Sequence, residues 1–418
     1  MGVTSIVKRL INFTRGTTVS DTDVLYADQG SGEVALTPKQ IATYVAGVFS
    51  FTMSAGVGAV ARTLLAKLKE MPVTPDDFGA PGVTADESAA VLLCFKAALA
   101  LGVEMKFPRW YRCSAPVVFD LATVAVTGTK VTGSGRQTSG LQFDTNVASP
   151  NLLVTSSTVA DAFYPDLMGW GVKGNVAGVV LQVGKEDFSD LINELTLDLV
   201  VNNGSTDPTA CAVEMNGVYN PDARLVANCG GVGTGDALRL CRTQFGFFRG
   251  SYGNAANCVR LTGSYTLGNK FDALDLEMAT CAITIDSATA VHNSFEGGTI
   301  ANVTSGINAT AGSCNRVSNP NLGIAVASLV ESAVGVTVDM PGMALLATPA
   351  VPASGTPYTN NSGQPQFVNL LGGTVSAVVV SGMTVAQTTN VGFVLNPRAS
   401  VTLAYTAAPS WTFMPLAG

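Results

Sequence analysis

Residues 269–296 read "NKFDALDLEMATCAITIDSATAVHNSFE". The stretch opens and closes on one pattern. Asn269, Phe271 and Asp272 at its start answer to Asn293, Phe295 and Glu296 at its end, and 295 − 271 gives a step of 24 residues. Extending outward, Phe247 lies 24 residues before Phe271, and Val317, again two residues after an asparagine (Asn315), lies 22 after Phe295. A second series runs in phase with the first. The segments "AVEM", "ALRL", "CVRL" and "AITI" align on Met215, Leu240, Leu261 and Ile285, with steps of 25, 21 and 24. A unit of this length, built of very short strands with Gly, Asn and Ser between them, predicts a parallel β-solenoid. In such a coil each strand pairs with its counterpart one rung away, about 4.8 Å distant, so like side chains stack along the axis.

The bulk composition agrees with a chain that hides much of its surface. Of its 418 residues 13% are charged, against about a quarter in a typical soluble protein, and the mean hydropathy is +0.33. Membrane insertion is excluded as the reason: apolar runs such as Val375–Val380 and Met343–Ala350 break well before the roughly 20 residues of a spanning helix. The N-terminus "MGVTSIVKRLINF" has no signal-cleavage pattern. Burial against copies of the same chain is the remaining outlet. The net charge of −7 argues against a nucleic-acid partner. The first seventy residues carry 7 cations against 5 anions, 7 − 5 = +2, a solvated face. The eight cysteines form no C-x-x-C pair and have no histidine at metal spacing, so neither a metal nor a cofactor is expected. Cys258 and Cys281 are read as occupying one place in the repeat, as stacked core thiols.

At the other end of the repeats stands "VTPDDFGAPGVTADESAA", residues 73–90. Asp77-Phe78-Gly79 also opens a kinase activation segment, but no His-Arg-Asp loop precedes it and the single histidine is His292. A mechanical reading fits better. Asp77–Ala80 is expected as a first short strand and turn, with Gly79 and Gly82 giving the backbone freedom to swing into a helix over 87–101, capped by Asp86 and ended by Gly102. That helix would cover the unpaired solenoid end. "VEMKFP" and "WYRCSAPVVF" follow as strands. Before the motif, "DVLYAD" and "GEVALT" are strand-like, "TPKQIATYVAGVF" reads as a short helix and residues 56–71 as an amphipathic helix, either a cap or a stalk.

Asp77-Phe78-Gly79-Ala80, Gly82, Asp86-Glu87, Ala89-Ala90, Phe107-Pro108 and Tyr111 together resemble the N-terminal signature of pectate-lyase-like right-handed β-helices of bacteriophage tailspikes and tail fibres; "GVTAD" replaces the usual Gly-Asp-Gly turn. The resemblance spans roughly residues 73–325. It implies an all-β chain: a small N-terminal virion-attachment and stalk segment (1–72), a right-handed parallel β-helix with a capping helix (73–330) and a C-terminal β-sandwich for trimerisation or receptor binding (331–418). It implies a virion protein made in the host cytoplasm. Such a chain forms a homotrimer, attached to other tail or baseplate proteins through its N-terminal segment and binding host surface polysaccharide.

Many such spikes cleave the polysaccharide with outer-face carboxylates. Asp272 and Glu296 follow the stacked phenylalanines and should lie on adjacent rungs, close to the separation of roughly 5–5.5 Å used by retaining glycosidases. Charges so close are expected to raise one carboxyl's pKa. Asp275 and Glu277 lie beside them, alternating with Leu274, Leu276 and Met278, which are read as inward. Arg249, one rung earlier, keeps a lyase open. Solvated rung carboxylates are the competing reading, and Trp110, Trp170 and Trp411 fall outside the strongest repeats. The leading expectation is therefore a binding spike rather than an enzyme, with a depolymerase and a passive tail-tip fibre as alternatives.

Overall fold

The computed structural model describes residues 25–28, 33–36, 50–51, 62–63, 70–80, 82, 85–121, 128–156, 161–339, 348–360, 365–396 and 399–416. Of the first 72 residues, which form a compact unit of their own, Leu25–Asp28 pairs antiparallel with Glu33–Leu36, as the two strand-like segments suggested. Arg62–Thr63 pairs antiparallel with Ser50–Phe51, so the backbone is extended at 62–63, within the span 56–71 expected to be helical; residues 56–61 and 64–69 of that span lie outside the described residues. The short helix expected over 37–49 lies outside the described residues.

From Val73 to Asp339 the chain is a parallel β-solenoid of about nine turns. Its core is written in three stacked columns. The first runs Val73, Met105, Val131, Leu167, Leu197, Ala223, Phe248, Phe271, Phe295, Val317, Val338. The second passes from Tyr111 through Leu141, Val172, Val201, Ala227 and Tyr252 to Leu276 and Ile300, and ends on the exposed Leu322. The third contains Met215, Leu240, Leu261 and Ile285 in the register inferred from the repeat. Phe248, Phe271 and Phe295 stack ring on ring, with centroids 4.9 and 4.1 Å apart. The inward member of the first rung is thus Phe248. Phe247 pairs with Lys270 and faces out, because a one-residue slip in a strand exchanges its faces.

The asparagines two residues before this column form a buried ladder. Asn269 Nδ2 donates to Asn293 Oδ1 at 2.9 Å, and Asn293 Nδ2 to Asn315 Oδ1 at 3.0 Å. The eight cysteines are free thiols. Cys258 and Cys281 are not counterparts, since Cys281 pairs with Asn257. The rungs begin earlier than the repeat revealed. Trp110 pairs with Gly140 and Trp170 with Leu199, so both tryptophans lie within the coil, Trp170 fully buried with its Nε1–H on the Val131 carbonyl.

The DFGA segment is not a strand. Pro75–Phe78 is a 3-10 turn closed by Gly79 at φ 81°, and the pairing strand position is Val73. The helix is Ser88–Leu101, ended by Gly102 at φ 65°, with Val91, Cys94, Phe95, Ala98 and Leu99 buried in the solenoid core and Phe95 stacked on Phe119 at 4.2 Å. Glu87 anchors its start: the carboxylate takes the Gly82 and Arg112 N–H groups and both Arg109 terminal nitrogens. Asp86 accepts from the Ser88 and Ser114 N–H groups and the Ser88 hydroxyl.

The described residues between 348 and 416 contain two antiparallel sheets. One contains Pro357–Thr359, Ser400–Ala407, Thr374–Val380 and Met383–Ala386, the other Val391–Leu395, Gln366–Leu371 and Ser410–Pro415. They share a buried core that includes Val368, Val378, Leu403, Trp411 and Phe413. Tyr358, Trp411 and Phe413 pack edge to face at 5.0–5.5 Å. Phe367 does not join them. Its ring lies over Gly392 on the outer face, in a row with Val394 and Met414.

Candidate functional site

Asp272 and Glu296 are register partners on adjacent rungs. Their position follows from alternation: Phe271 and Phe295 point inward, so the residues on either side point out. The outward column reads Asp198, Arg224, Arg249 in paired register and continues, one residue past Phe271 and Phe295, to Asp272 and Glu296. The parallel outward column two residues earlier carries Asp222, Phe247, Lys270, Ser294 and Arg316.

The charges on this face pair diagonally between rungs. Lys270 Nζ reaches forward to Glu296 Oε2 at 3.0 Å, and Arg249 reaches back to Asp222 Oδ1 at 3.1 Å while its guanidinium lies 4.7 Å above the Phe247 ring. Glu296 is therefore held by an ammonium, and Asp272 sits between two cations that lean away from it. At the corner that feeds this strand, Phe245, Gly268, His292 and Cys314 succeed one another, each with positive φ (56°, 69°, 57° and 55°). Phe245 is 57% exposed and its ring lies over Gly268, where a Cβ would come within 2.7 Å of it. An L-residue other than glycine at 268 would displace the ring.

The other two candidates belong to the next face. Asp275 and Glu277 lie after the Ala273–Leu274 bend, in columns with Ser251 and Thr299, and with Gly253 and Ala301. Ser251 Oγ donates to Asp275 at 3.3 Å. Leu274 and Leu276 are buried as expected, but Met278 is 43% exposed at φ 56°, because the left-handed corner turns its side chain outward. The site thus gathers Asp272 and Glu296 with Lys270, Arg249, Phe247 and Phe245, and sets Asp275 and Glu277 around a corner.

The sequence placed Trp110, Trp170 and Trp411 outside the strongest repeats. The outward aromatic rings on this face are Phe245 and Phe247, and the signal for them was in "QFGFFRG", whose three phenylalanines cannot all face inward. Trp110, by contrast, is half-buried: the edge of its ring lies against Gly171, and Lys173 Nζ stands 4.1 Å from the ring centre. Among the described residues no cluster of His, Cys, Asp and Glu could hold a metal ion.

No family model and no curated protein matches the chain. Solved structures do. The chain is similar to phage tailspike proteins. The Acinetobacter phage vb_AbaP_AS12 gp42 tailspike is 15% identical, with a TM-score of 0.38, over 65% of this chain and 51% of that one. The enzymatically active domain of tailspike protein 4 of bacteriophage CBA120 is 12% identical, with a TM-score of 0.46, over 99% of this chain and 80% of that one. The tailspike of Acinetobacter phage vB_ApiP_P1 is 11% identical, with a TM-score of 0.34, over 98% and 97%. The chain thus spans about half the length of the first of these.

Proposed function

We propose that this protein is a phage tail spike or tail fibre, a structural virion component that binds host surface polysaccharide on the solenoid face carrying Asp272 and Glu296. The observation that carries the reading is the company those carboxylates keep: exposed Phe245 and outward Phe247 one rung away, with Arg249 and Lys270 between. Aromatic rings that present a flat apolar face beside hydrogen-bonding and charged groups are suited to sugar rings, which are apolar on their faces and polar at their edges.

One observation favours a second reading, a depolymerase on the same scaffold. Asp272 and Glu296 are neighbours in register, at a rung spacing of about 4.8 Å, and two carboxyl groups near that separation suit a retaining glycosidase. In that chemistry Glu296, oriented by Lys270, is the nucleophile, and Asp272 delivers the proton to the leaving oxygen. Incubating the purified chain with capsule or O-antigen of the host and assaying new reducing ends and unsaturated uronates separates the readings. Binding without either product supports the first. Turnover that is abolished in Asp272→Asn or Glu296→Gln supports the second, with the product naming hydrolase or lyase. A chain that binds no surface glycan is a passive tail-tip or baseplate fibre.

The assembly proposed is a homotrimer, with residues 1–72 attaching to other tail or baseplate proteins, 73–330 as the body and 331–418 as the clamp. Support for the clamp comes from composition and surface: residues 340–397 contain no charged side chain, and the Val394–Phe367–Met414 row faces outward, Val394 and Met414 at 45% and 42% exposure. Light scattering on the full chain tests it, since a monomer at micromolar concentration refutes the trimer. Deletion of 340–418 is expected to impair assembly, and a truncated chain that remains a stable trimer moves the clamp elsewhere.

A further inference from the structure

We infer that Arg224 and Arg249 form an anion subsite beside the carboxylate pair, and that the glycan bound on this face is acidic. The inference rests on the glycan-binding reading above and adds its charge. Arg224 and Arg249 are register partners on adjacent rungs. Like charges directly opposite one another in a sheet are unfavourable, and neither neighbour relieves Arg224. Ala223 and Leu225 beside it are buried, so its side chain is directed outward and exposed. The preceding member of its column, Asp198, is taken by Arg136 at 3.1 Å. The nearby Asp222 is taken by Arg249. Arg224 has no ion-pair or side-chain hydrogen-bond partner among the described residues.

Arg249 is by contrast already positioned. Its guanidinium is held over the Phe247 ring and tied to Asp222. One oriented guanidinium and one unsatisfied guanidinium, a rung apart, present the planar donor forks that carboxylate and phosphate groups accept. Asp272 and Glu296 follow one and two rungs further on, so Arg224 stands roughly 10 Å from Asp272 and 14 Å from Glu296 along the axis. An acidic group entering the face is drawn to the arginines and repelled by those carboxylates. This fixes the direction in which the chain lies: its acidic group over the lower-numbered rungs and an uncharged linkage over Asp272 and Glu296. The shared chemistry is an anionic substituent on sugar, which a uronate carboxylate or a phosphodiester equally supplies.

The test uses the full chain on an array of bacterial surface polysaccharides of defined structure. The array includes neutral polymers, uronate polymers each paired with its carboxyl-reduced form, and phosphodiester-linked polymers. Expected is binding to acidic members, lost on carboxyl reduction where the acid is a uronate and insensitive to it where the acid is a phosphodiester. Arg224→Gln and Arg249→Gln should each weaken that binding roughly tenfold or more, and Arg224→Lys should keep part of it. Affinity should fall as salt rises from about 0.05 to about 0.5 M. Unchanged melting of the variants separates lost recognition from lost folding. Binding confined to neutral polymers, or binding indifferent to both glutamine variants, overturns the anion subsite and leaves the glycan-binding reading standing. A wild-type chain that binds nothing on the array counts against both.

Discussion

Removing one amide from the buried asparagine ladder should cost the solenoid far more than removing a neighbouring hydroxyl on its outside. Asn293 is 1% exposed. Its Oδ1 accepts from Asn269 N–H at 3.1 Å and Asn269 Nδ2 at 2.9 Å, and its Nδ2 donates to Asn315 Oδ1 at 3.0 Å and the Thr266 carbonyl at 3.1 Å. Asn293→Ala deletes all four bonds. Three of the abandoned groups keep another partner: Asn269 Nδ2 retains the Thr243 carbonyl, Asn315 Oδ1 retains the Asn293 N–H, and the Thr266 carbonyl retains the Val291 N–H. The Asn269 N–H is left with none. An orphaned buried donor costs about 1–3 kcal/mol, and three hydrogen bonds lost with partial replacement add about 0.7 kcal/mol each, so the sum is roughly 3–5 kcal/mol. Hydrogen exchange followed by mass spectrometry on peptides spanning 266–295 reads this locally, without assuming that so long a coil unfolds in one step. Exchange there should quicken by about a hundredfold or more, whereas Ser294→Ala on the outside should change it less than about threefold. Protection in Asn293→Ala within about threefold of the parent would refute the ladder's energetic role.

Met278 sits at φ 56° in a corner column between Asn254 and Asn302, at 49° and 53°; since asparagine tolerates the left-handed region better, Met278→Asn should stabilise by about 0.5–1 kcal/mol, read as a higher melting temperature. Burial pushes the Cys94, Cys113 and Cys229 thiols up to about 12, whereas Cys314 is exposed, so thiol titration of the native chain at pH 8 should show one fast-reacting cysteine that disappears in Cys314→Ser. Burial works to raise the Asp86 pKa, but hydrogen bonds from Ser114 and Ser88 outweigh it and hold the carboxyl below the ordinary range. A depressed carboxyl adds stability above its unfolded pKa of about 3.9 and loses it as pH falls toward the folded value. Protection of the Ser88 and Ser114 amides should therefore decline below about pH 4 in the parent and be low and flatter with pH in Asp86→Ala.

The repeat was legible where the rungs are nearly equal in length. From Phe248 through Phe271, Phe295 and Val317 to Val338 the steps are 23, 24, 22 and 21, whereas from Val73 through Met105, Val131 and Leu167 to Leu197 they are 32, 26, 36 and 30. Corner loops of unequal length hid the early rungs, although the backbone pairing is the same. Within a rung, alternation placed Asp272 and Glu296 on the outside, because the phenylalanines beside them had to be inside. It failed at Phe247, where adjacent phenylalanines allow either register, and at Met278, where a residue in the left-handed region resets the alternation. The partners of the site residues were not legible, since diagonal ion pairs between rungs depend on which way a long side chain leans.

That lean decides how the two readings of the site differ. Arg249 turns back to Asp222 and Lys270 turns forward to Glu296, so the paired carboxylates are made unequal by one ammonium at 3.0 Å. Both partners of the Lys270–Glu296 pair are about half exposed, and such a pair contributes only about 0.2–1 kcal/mol to stability. Lys270→Met should therefore leave the melting temperature within a few degrees of the parent, and glycan affinity within about threefold if the face only binds. A depolymerase responds differently. The ammonium that orients Glu296 would be missing while the platform of Phe245 and Phe247 stays intact, so kcat would fall by tenfold or more at nearly constant KM. A large loss of stability in Lys270→Met would refute both accounts of this lysine, because it would mean that the exposed pair holds the rungs together.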